Sequence, residues 1–359
     1  MVFRNSFIVK TTFLILVLFH GVSNASDIEY VKRETIGILG DGLDAIRSVS
    51  NKYEKAIIDK IQLRVPISPA PVRVRAFKEA NSRVIEVSTG YSVIARLIVA
   101  GYIMETHLNK PNFGNIYAKY SASTYATGKL GGGKAPWDKA KLSKRKRYLL
   151  LTNQDFNVRL QSEHSLVMWY VLSHEIAHHV LNHGYERDMT LTKMREQEAE
   201  ADTWASNTFI KLGLPPASAF PGLMYWYYLD ELGVKNEYRR SHPADLNRIR
   251  AMLLKTLNNF DVWNNNTTHM AKISRKKGTN AYKKFLYEVE NKISRQKPYS
   301  KKTISSKAFK ACMKGMYKGC LNVCQNKYGN PLALCKRKLC VSGRTKNINK
   351  LKCNDILGG

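Results

Sequence analysis

The sequence predicts an α+β fold, mainly helical with one small β-sheet, followed by a small helical module rich in cysteine. Three observations lead there. Apolar residues recur at three- and four-residue spacing through most of the chain, the mark of helices buried on one face. Only two short stretches alternate apolar and polar residues at period two, as half-buried strands do. All six cysteines, Cys312, Cys320, Cys324, Cys335, Cys340 and Cys353, lie in the last quarter.

Taken in order, residues 28–62 carry the helical spacing through IGILGDGLDAIRSVSNKYEKAIIDKI. The alternation in PVRVRAF, residues 71–77, predicts a strand, and RVIEVST, residues 83–89, a second one, with the turn-prone KEANS between them. A helix follows over 91–104. Residues 107–147 are polar and rich in Gly, Tyr and Lys, and are too long for an ordinary connection, so they are expected to form an insertion laid over the fold. Helices are then predicted over 162–183, over 192–212 with a stop at Gly213 and Pro215-Pro216, and over 217–232. Ser241 is placed to cap one more, ending near Asn258. Residues 294–306 read as a linker, and 307–359 as the basic cysteine-rich module.

The first 25 residues have basic positions Arg4 and Lys10, a short apolar core and small residues before Ala25, the layout of a cleaved secretory signal. The expected location is therefore exported, periplasmic or secreted, with no transmembrane span left after cleavage. In an oxidising compartment the six cysteines predict disulfides rather than a thiolate zinc site, because paired CxxC spacing is missing. The chain holds 58 Lys+Arg against 28 Asp+Glu, a net charge of +30. Residues 271–359 alone contain 23 Lys and Arg against Glu288, Glu290 and Asp355. Such a tail is suited to an anionic surface or polymer. With few aromatics beyond Phe309, Tyr317 and Tyr328, base-stacking nucleic-acid binding is not favoured.

The densest chemistry is in WYVLSHEIAHHVLNHG, residues 169–184, where His174-Glu175-x-x-His178 forms an HExxH motif. Residues four apart share a helix face, so both imidazoles can converge on one ion while Glu175 stands beside it. Catalytic zinc usually takes three protein ligands. The next predicted helix, in REQEAEADTWA, offers Glu198 as the third ligand and Asp202 one turn on to accept the spare N–H of a ligand histidine. Glu200 is the rival ligand, but it lies about 200° round the helix from Glu198, so both cannot face the same ion. His179 and His183 form a second i,i+4 pair without an evident acidic partner, and are expected to be structural or exposed.

HEIAHHVLNH, EQEAEADTWA and SHPADLNRI, in this order, resemble the gluzincin peptidases related to the CAAX prenyl protease and the bacterial heat-shock and periplasmic quality-control metalloproteases. VRVRAFKEANSRVIEVSTGYS resembles that family's upstream strand pair. The resemblance runs over about residues 70–255. It implies a zincin-like domain over 26–293 that binds one Zn²⁺ per chain through His174, His178 and Glu198, with Glu175 as general base. It also implies His242, of His242-Pro243, as a donor to the oxyanion. The expected activity is zinc-dependent endopeptidase action on a protein or peptide. The alternative is a non-catalytic exported binding or chaperone-like protein that keeps the zinc fold as a scaffold and works through the basic tail. The chain departs from the family in the polar insertion and in a shortened segment at Asn81-Ser82-Arg83.

Overall fold

The computed structural model describes residues 25–67, 73–79, 82–126, 134–184, 190–231, 246–261 and 269–295. The predicted signal segment up to residue 24, the predicted linker and cysteine-rich module, and the 232–245 stretch with Ser241 and His242 lie outside them. Two compact units are distinguished, 1–184 with 195–293 and 185–194 with 294–359; the site residues belong to the first. Among the described residues no helix is long and apolar enough to cross a membrane.

The predicted first helix is divided in two. Helix α1, Ala25–Val49, stops before Asn51, whose side chain accepts from the Glu54 amide at 2.9 Å while the Glu54 carboxylate accepts from the Asn51 amide at 2.8 Å. This reciprocal capping box starts α2, Lys52–Ile58. Ile61 and Gln62, expected to be the last residues of the helical stretch, instead begin strand β1, Ile61–Arg64. With β2, Val74–Glu79, and β3, Ser82–Val87, it makes a three-stranded sheet in the order β1-β3-β2. β2 and β3 form the expected antiparallel pair, whereas β1 runs parallel to β3, with Ile61 opposite Arg83 and Arg64 opposite Glu86. At the end of β3 the Ser88 hydroxyl accepts from the Arg73 amide at 2.9 Å and from the Tyr91 amide at 3.3 Å. One buried side chain thereby ties the hairpin to the N-terminus of α3, Thr89–His107.

The predicted insertion is the main correction to the expected fold. The described residues within 107–147 fold into α4, Phe113–Ala126, the short α5, Pro136–Lys139, and part of α6, Lys144–Leu151. Phe113, Tyr117, Ala118 and Ala122 are buried along one face of α4, and Trp137 of α5 is fully buried. Gly114 serves close packing, because a Cβ there would overlap the Tyr102 ring of α3. The turns use Asn109, Asn112 and Lys141 at positive φ. The Gly, Lys and Asn of the segment make it read as polar by composition, yet α4 packs between α3 and α9, Phe220–Glu231.

The centre of the fold is α7, Gln154–Val180, capped by Asn153, whose side chain accepts from the Phe156 amide at 2.8 Å. It packs on α1, α3, β2, β3 and the 3₁₀ turn Pro216–Ala219. Gly42 of α1 lets the Trp169 indole lie against that helix, where Nε1 donates to the Ile38 carbonyl at 2.8 Å. From Leu172 to Val180 every residue of α7 is buried, so its polar side chains can meet only protein partners there. Helices α8, Leu191–Lys211, and α10, Leu246–Asn258, supply those partners. A last helix, α11, His269–Arg295, was not anticipated from the sequence; its Phe285 stacks on Phe220 with ring centroids 4.1 Å apart.

The buried state of the 107–147 segment can be tested through Trp137, which is 0% exposed. Truncation of a buried Trp typically costs about 3–5 kcal/mol. Trp137→Ala is expected to lower the unfolding free energy by that much in urea denaturation, whereas a laid-over loop would lose less than about 1 kcal/mol.

Candidate metal centre

His174 and His178 lie one turn apart on α7 and point their Nε2 atoms at the same spot, 3.2 Å from each other. Glu198 of α8 closes the triangle, with one carboxylate oxygen 3.2 Å from His174 Nε2 and the other 3.4 Å from His178 Nε2. Potential ligand atoms of all three side chains lie within 4.8 Å of one another, and all three residues are buried. Among the described residues this is the only group of at least three His, Cys, Asp or Glu side chains arranged to hold a metal ion.

The outer nitrogens fix what the inner ones present. Asp202 Oδ1 lies 2.9 Å from His174 Nδ1, and a carboxylate can only accept, so Nδ1 carries a proton and the lone pair of a neutral His174 would be on Nε2, facing inward. Two nitrogens and a carboxylate facing one another at such distances need positive charge between them. The demand is visible at His174: burial alone would lower its pKa, but Glu198 and Asp202 outweigh it and raise it to about 10. In the metal-free chain a proton meets the need that a cation would meet. The donor set, neutral imidazole and carboxylate, is the one zinc takes.

Arg248 of α10 spans both carboxylates of α8. Its NH1 is 3.0 Å from Glu198 Oε2, its Nε 2.5 Å from Asp202 Oδ2 and its NH2 3.0 Å from Asp202 Oδ1. Burial would raise the Asp202 pKa, yet Arg248 and His174 overcome that effect and hold it down at about 2. Sequence reasoning included Arg248 in the SHPADLNRI stretch of the resemblance without giving it a role. Its signal, a basic residue on an amphipathic helix, is indistinguishable from that of a solvated face until the three helices are brought together.

The second histidine pair separates. His179 Nε2 lies 3.1 Å from the Val84 carbonyl of β3, to which it donates as a structural link between helix and sheet. Burial, acting first, lowers its pKa to about 4 and keeps it neutral. His183 was expected on the same helix face as His179, but α7 ends at Val180. Asn182 takes a left-handed conformation, φ 52°, its amide bonding to the His179 carbonyl at 3.3 Å, and the His183 amide returns to the His178 carbonyl at 2.9 Å. These two bonds make a Schellman end, and they bring His183 back against the turn that carries His178. Its Nδ1 is 2.9 Å from His178 Nδ1 and its Nε2 is 2.9 Å from Glu200 Oε2. Glu200, the rival ligand on sequence grounds, therefore faces His183 and not the triangle. His183 is correspondingly no bystander.

A recess opens beside the triangle, lined by Tyr91, Val171, His174, Glu175, Leu223 and Trp226. Tyr91 stacks on Trp226 at 5.7 Å between centroids. Burial pushes the Tyr91 hydroxyl pKa up, and the nearby Glu175 carboxylate adds to the rise, so the phenol stays protonated. Gly222 borders the same recess; a Cβ there would meet Tyr91 Oη and Val167 Cγ1, each at 3.1 Å. His242 lies outside the described residues.

Removing Arg248 would leave Glu198 and Asp202 as neighbouring buried charges, a change that typically costs about 3–5 kcal/mol. Arg248→Met is expected to destabilise the zinc-free chain by that order in urea denaturation. A loss below about 1 kcal/mol would mean that the guanidinium does not hold the two carboxylates together.

Residues 133–269 match the family model described as Peptidase U49. No curated protein and no solved structure matches the chain. The matched stretch spans α5 to α10 and contains His174, Glu175, His178, Glu198, Asp202 and Arg248, but not the sheet or Tyr91. It speaks for a peptidase in general and not for the CAAX-protease type in particular. The site-bearing part of this chain is thus similar to a peptidase family, which implies a protein or peptide as substrate.

Proposed function

We propose that the protein is an exported zinc-dependent endopeptidase in which His174, His178 and Glu198 hold one Zn²⁺ and Glu175 is the general base. The observation that supports this reading most is the convergence of two imidazole nitrogens and a carboxylate within 4.8 Å, inside a stretch similar to a peptidase family. The position of Glu175 on the wall of the adjoining recess adds to it. Zinc held by His174, His178 and Glu198 would supply Lewis acidity, which would lower the pKa of a water towards ~7 and polarise a carbonyl.

The chain's own residues do the rest. Asp202 and Arg248 hold His174 in the tautomer that presents Nε2. The Glu175 carboxylate takes the proton of the attacking water and returns it to the nitrogen of the departing amine, so no net proton is consumed on the enzyme. Tyr91 and Trp226 form an apolar wall that limits bulk water beside Glu175 and strengthens its interaction with the reacting groups. His242 is proposed as the donor to the oxyanion, and export and attraction of the basic tail to anionic surfaces are proposed on the sequence alone. A non-catalytic scaffold would have no chemical need for a fully buried carboxylate one residue after a metal ligand.

The purified full-length chain is expected to contain one zinc per molecule and to cleave unfolded casein. Glu175→Gln should keep the zinc and the unfolding midpoint while kcat/KM falls by at least about 10²-fold. Chelation should abolish cleavage, and added Zn²⁺ restore it. Unchanged cleavage by Glu175→Gln would remove Glu175 from the mechanism, and a chain without stoichiometric zinc would overturn the metal assignment.

A further inference from the structure

We infer that His183 and Glu200 are positioning residues of the metal centre, a two-member hydrogen-bonded relay that fixes the tautomer and the ring orientation of His178. The inference rests on the reading of His174, His178 and Glu198 as a zinc site and deepens it.

The direction of the relay follows from its outer end. Glu200 is a carboxylate and can only accept, so at 2.9 Å His183 Nε2 is the donor. Neutral imidazole has one N–H, which leaves His183 Nδ1 with a lone pair. That lone pair lies 2.9 Å from His178 Nδ1, so His178 Nδ1 is the donor in turn and its own lone pair is left on Nε2. Nε2 is the atom that faces Glu198 and His174. Read backwards, the chain Glu200 to His183 to His178 allows one proton arrangement, and in that arrangement the inner nitrogen is ready to ligate. Had the outer partner been a donor, such as a lysine, every proton would shift by one place and Nε2 would carry hydrogen.

The two ligand histidines thus receive the same service by different means. His174 is served directly by Asp202, itself held by Arg248. His178 faces away from Asp202 and is reached through an intermediate imidazole. The backbone makes this contact repeatable, since the Schellman end bonds the His183 amide to the His178 carbonyl at 2.9 Å, joining the same two residues through main chain and side chain. His183 is buried, at 6% exposure, while the Glu200 side chain is 58% exposed. The relay therefore carries an orienting charge from the surface to a buried ligand.

The test is zinc affinity in the full-length chain, stripped and titrated with Zn²⁺ against a chromophoric chelator. Loss of an outer-shell partner of a metal-ligating histidine typically weakens binding about 10- to 100-fold. His183→Ala is expected to fall in that range. His183→Asn places an amide oxygen close to where Nδ1 was and should recover most of the affinity, which a purely space-filling role would not predict. Glu200→Ala, at an exposed position where folding is not at stake, should weaken binding by a smaller factor in the native chain and by nothing measurable in the His183→Ala background, because it acts only through His183. Long-range proton–nitrogen NMR on the zinc-loaded chain should show His178 protonated at Nδ1. Unaltered affinity in folded His183→Ala, equal losses in the Ala and Asn variants, or an undiminished Glu200 effect without His183 would each overturn the inference while leaving the zinc reading intact. A native chain that binds no Zn²⁺ would overturn both.

Discussion

Two carboxylates one turn apart on α8, Glu198 and Asp202, are almost wholly removed from water, and like charges so placed are tolerable only if positive charge is built in with them. Arg248 is that charge, and its position sets much of the surrounding architecture. It requires α10 to cross α8 at the level of the site. It leaves the other face of Glu198 turned towards α7, where two imidazoles meet it. It also holds Asp202 against His174 Nδ1, so that one guanidinium stabilises the acid that orients one ligand and the acid that completes the triangle. The all-round burial of α7 from Leu172 onward has the same origin, because a centre of this kind needs low solvent access for its hydrogen bonds to keep their strength.

The sheet bears on the site through the helix end. Arg83 donates to the His179 carbonyl at 3.0 Å and Lys78 donates to the Asn182 side chain at 2.9 Å, so two basic residues of the hairpin meet the carbonyl-rich terminus of α7, where positive charge is favourable. His179 adds a third link to β3. The terminus that presents His178 and His183 is in this way clamped from the sheet, while Glu198 and Glu200 of α8 meet those two histidines.

Where interactions repeat at fixed spacing along one element, the sequence made them legible. His174, Glu175 and His178 could be placed from helical spacing alone, and Glu198 and Asp202 from theirs; the structure brings His174, His178 and Glu198 together and sets Asp202 against His174 Nδ1. The β2–β3 hairpin was equally plain, since alternation and a turn are local signals. Arg248 was not legible in this way because its partner Asp202 lies 46 residues away and only tertiary packing shows that its face is buried. β1 was hidden because four residues at the end of a helical pattern are too few to show a period, and its pairing with β3 is parallel and non-local. The buried face of the 107–147 segment was missed because its Phe, Tyr, Trp and Ala are interspersed with Gly, Lys and Asn, which pull the composition towards a loop; Gly114, which admits a ring, is among them. His183 was misjudged for the opposite reason: helical periodicity was carried three residues too far, past a terminus that only the left-handed Asn182 reveals.

That terminus has a consequence for how the chain can vary in length. Loops usually accept an added or lost residue at little cost, and here the helix is over at Val180. Yet His183 reaches His178 because Leu181 and Asn182, and no others, turn the chain back. Adding or deleting one residue between Val180 and His183 would leave every proposed ligand where it is and swing the relay imidazole off its partner. The tolerance to insertion that normally begins at a helix end is displaced here until after His183.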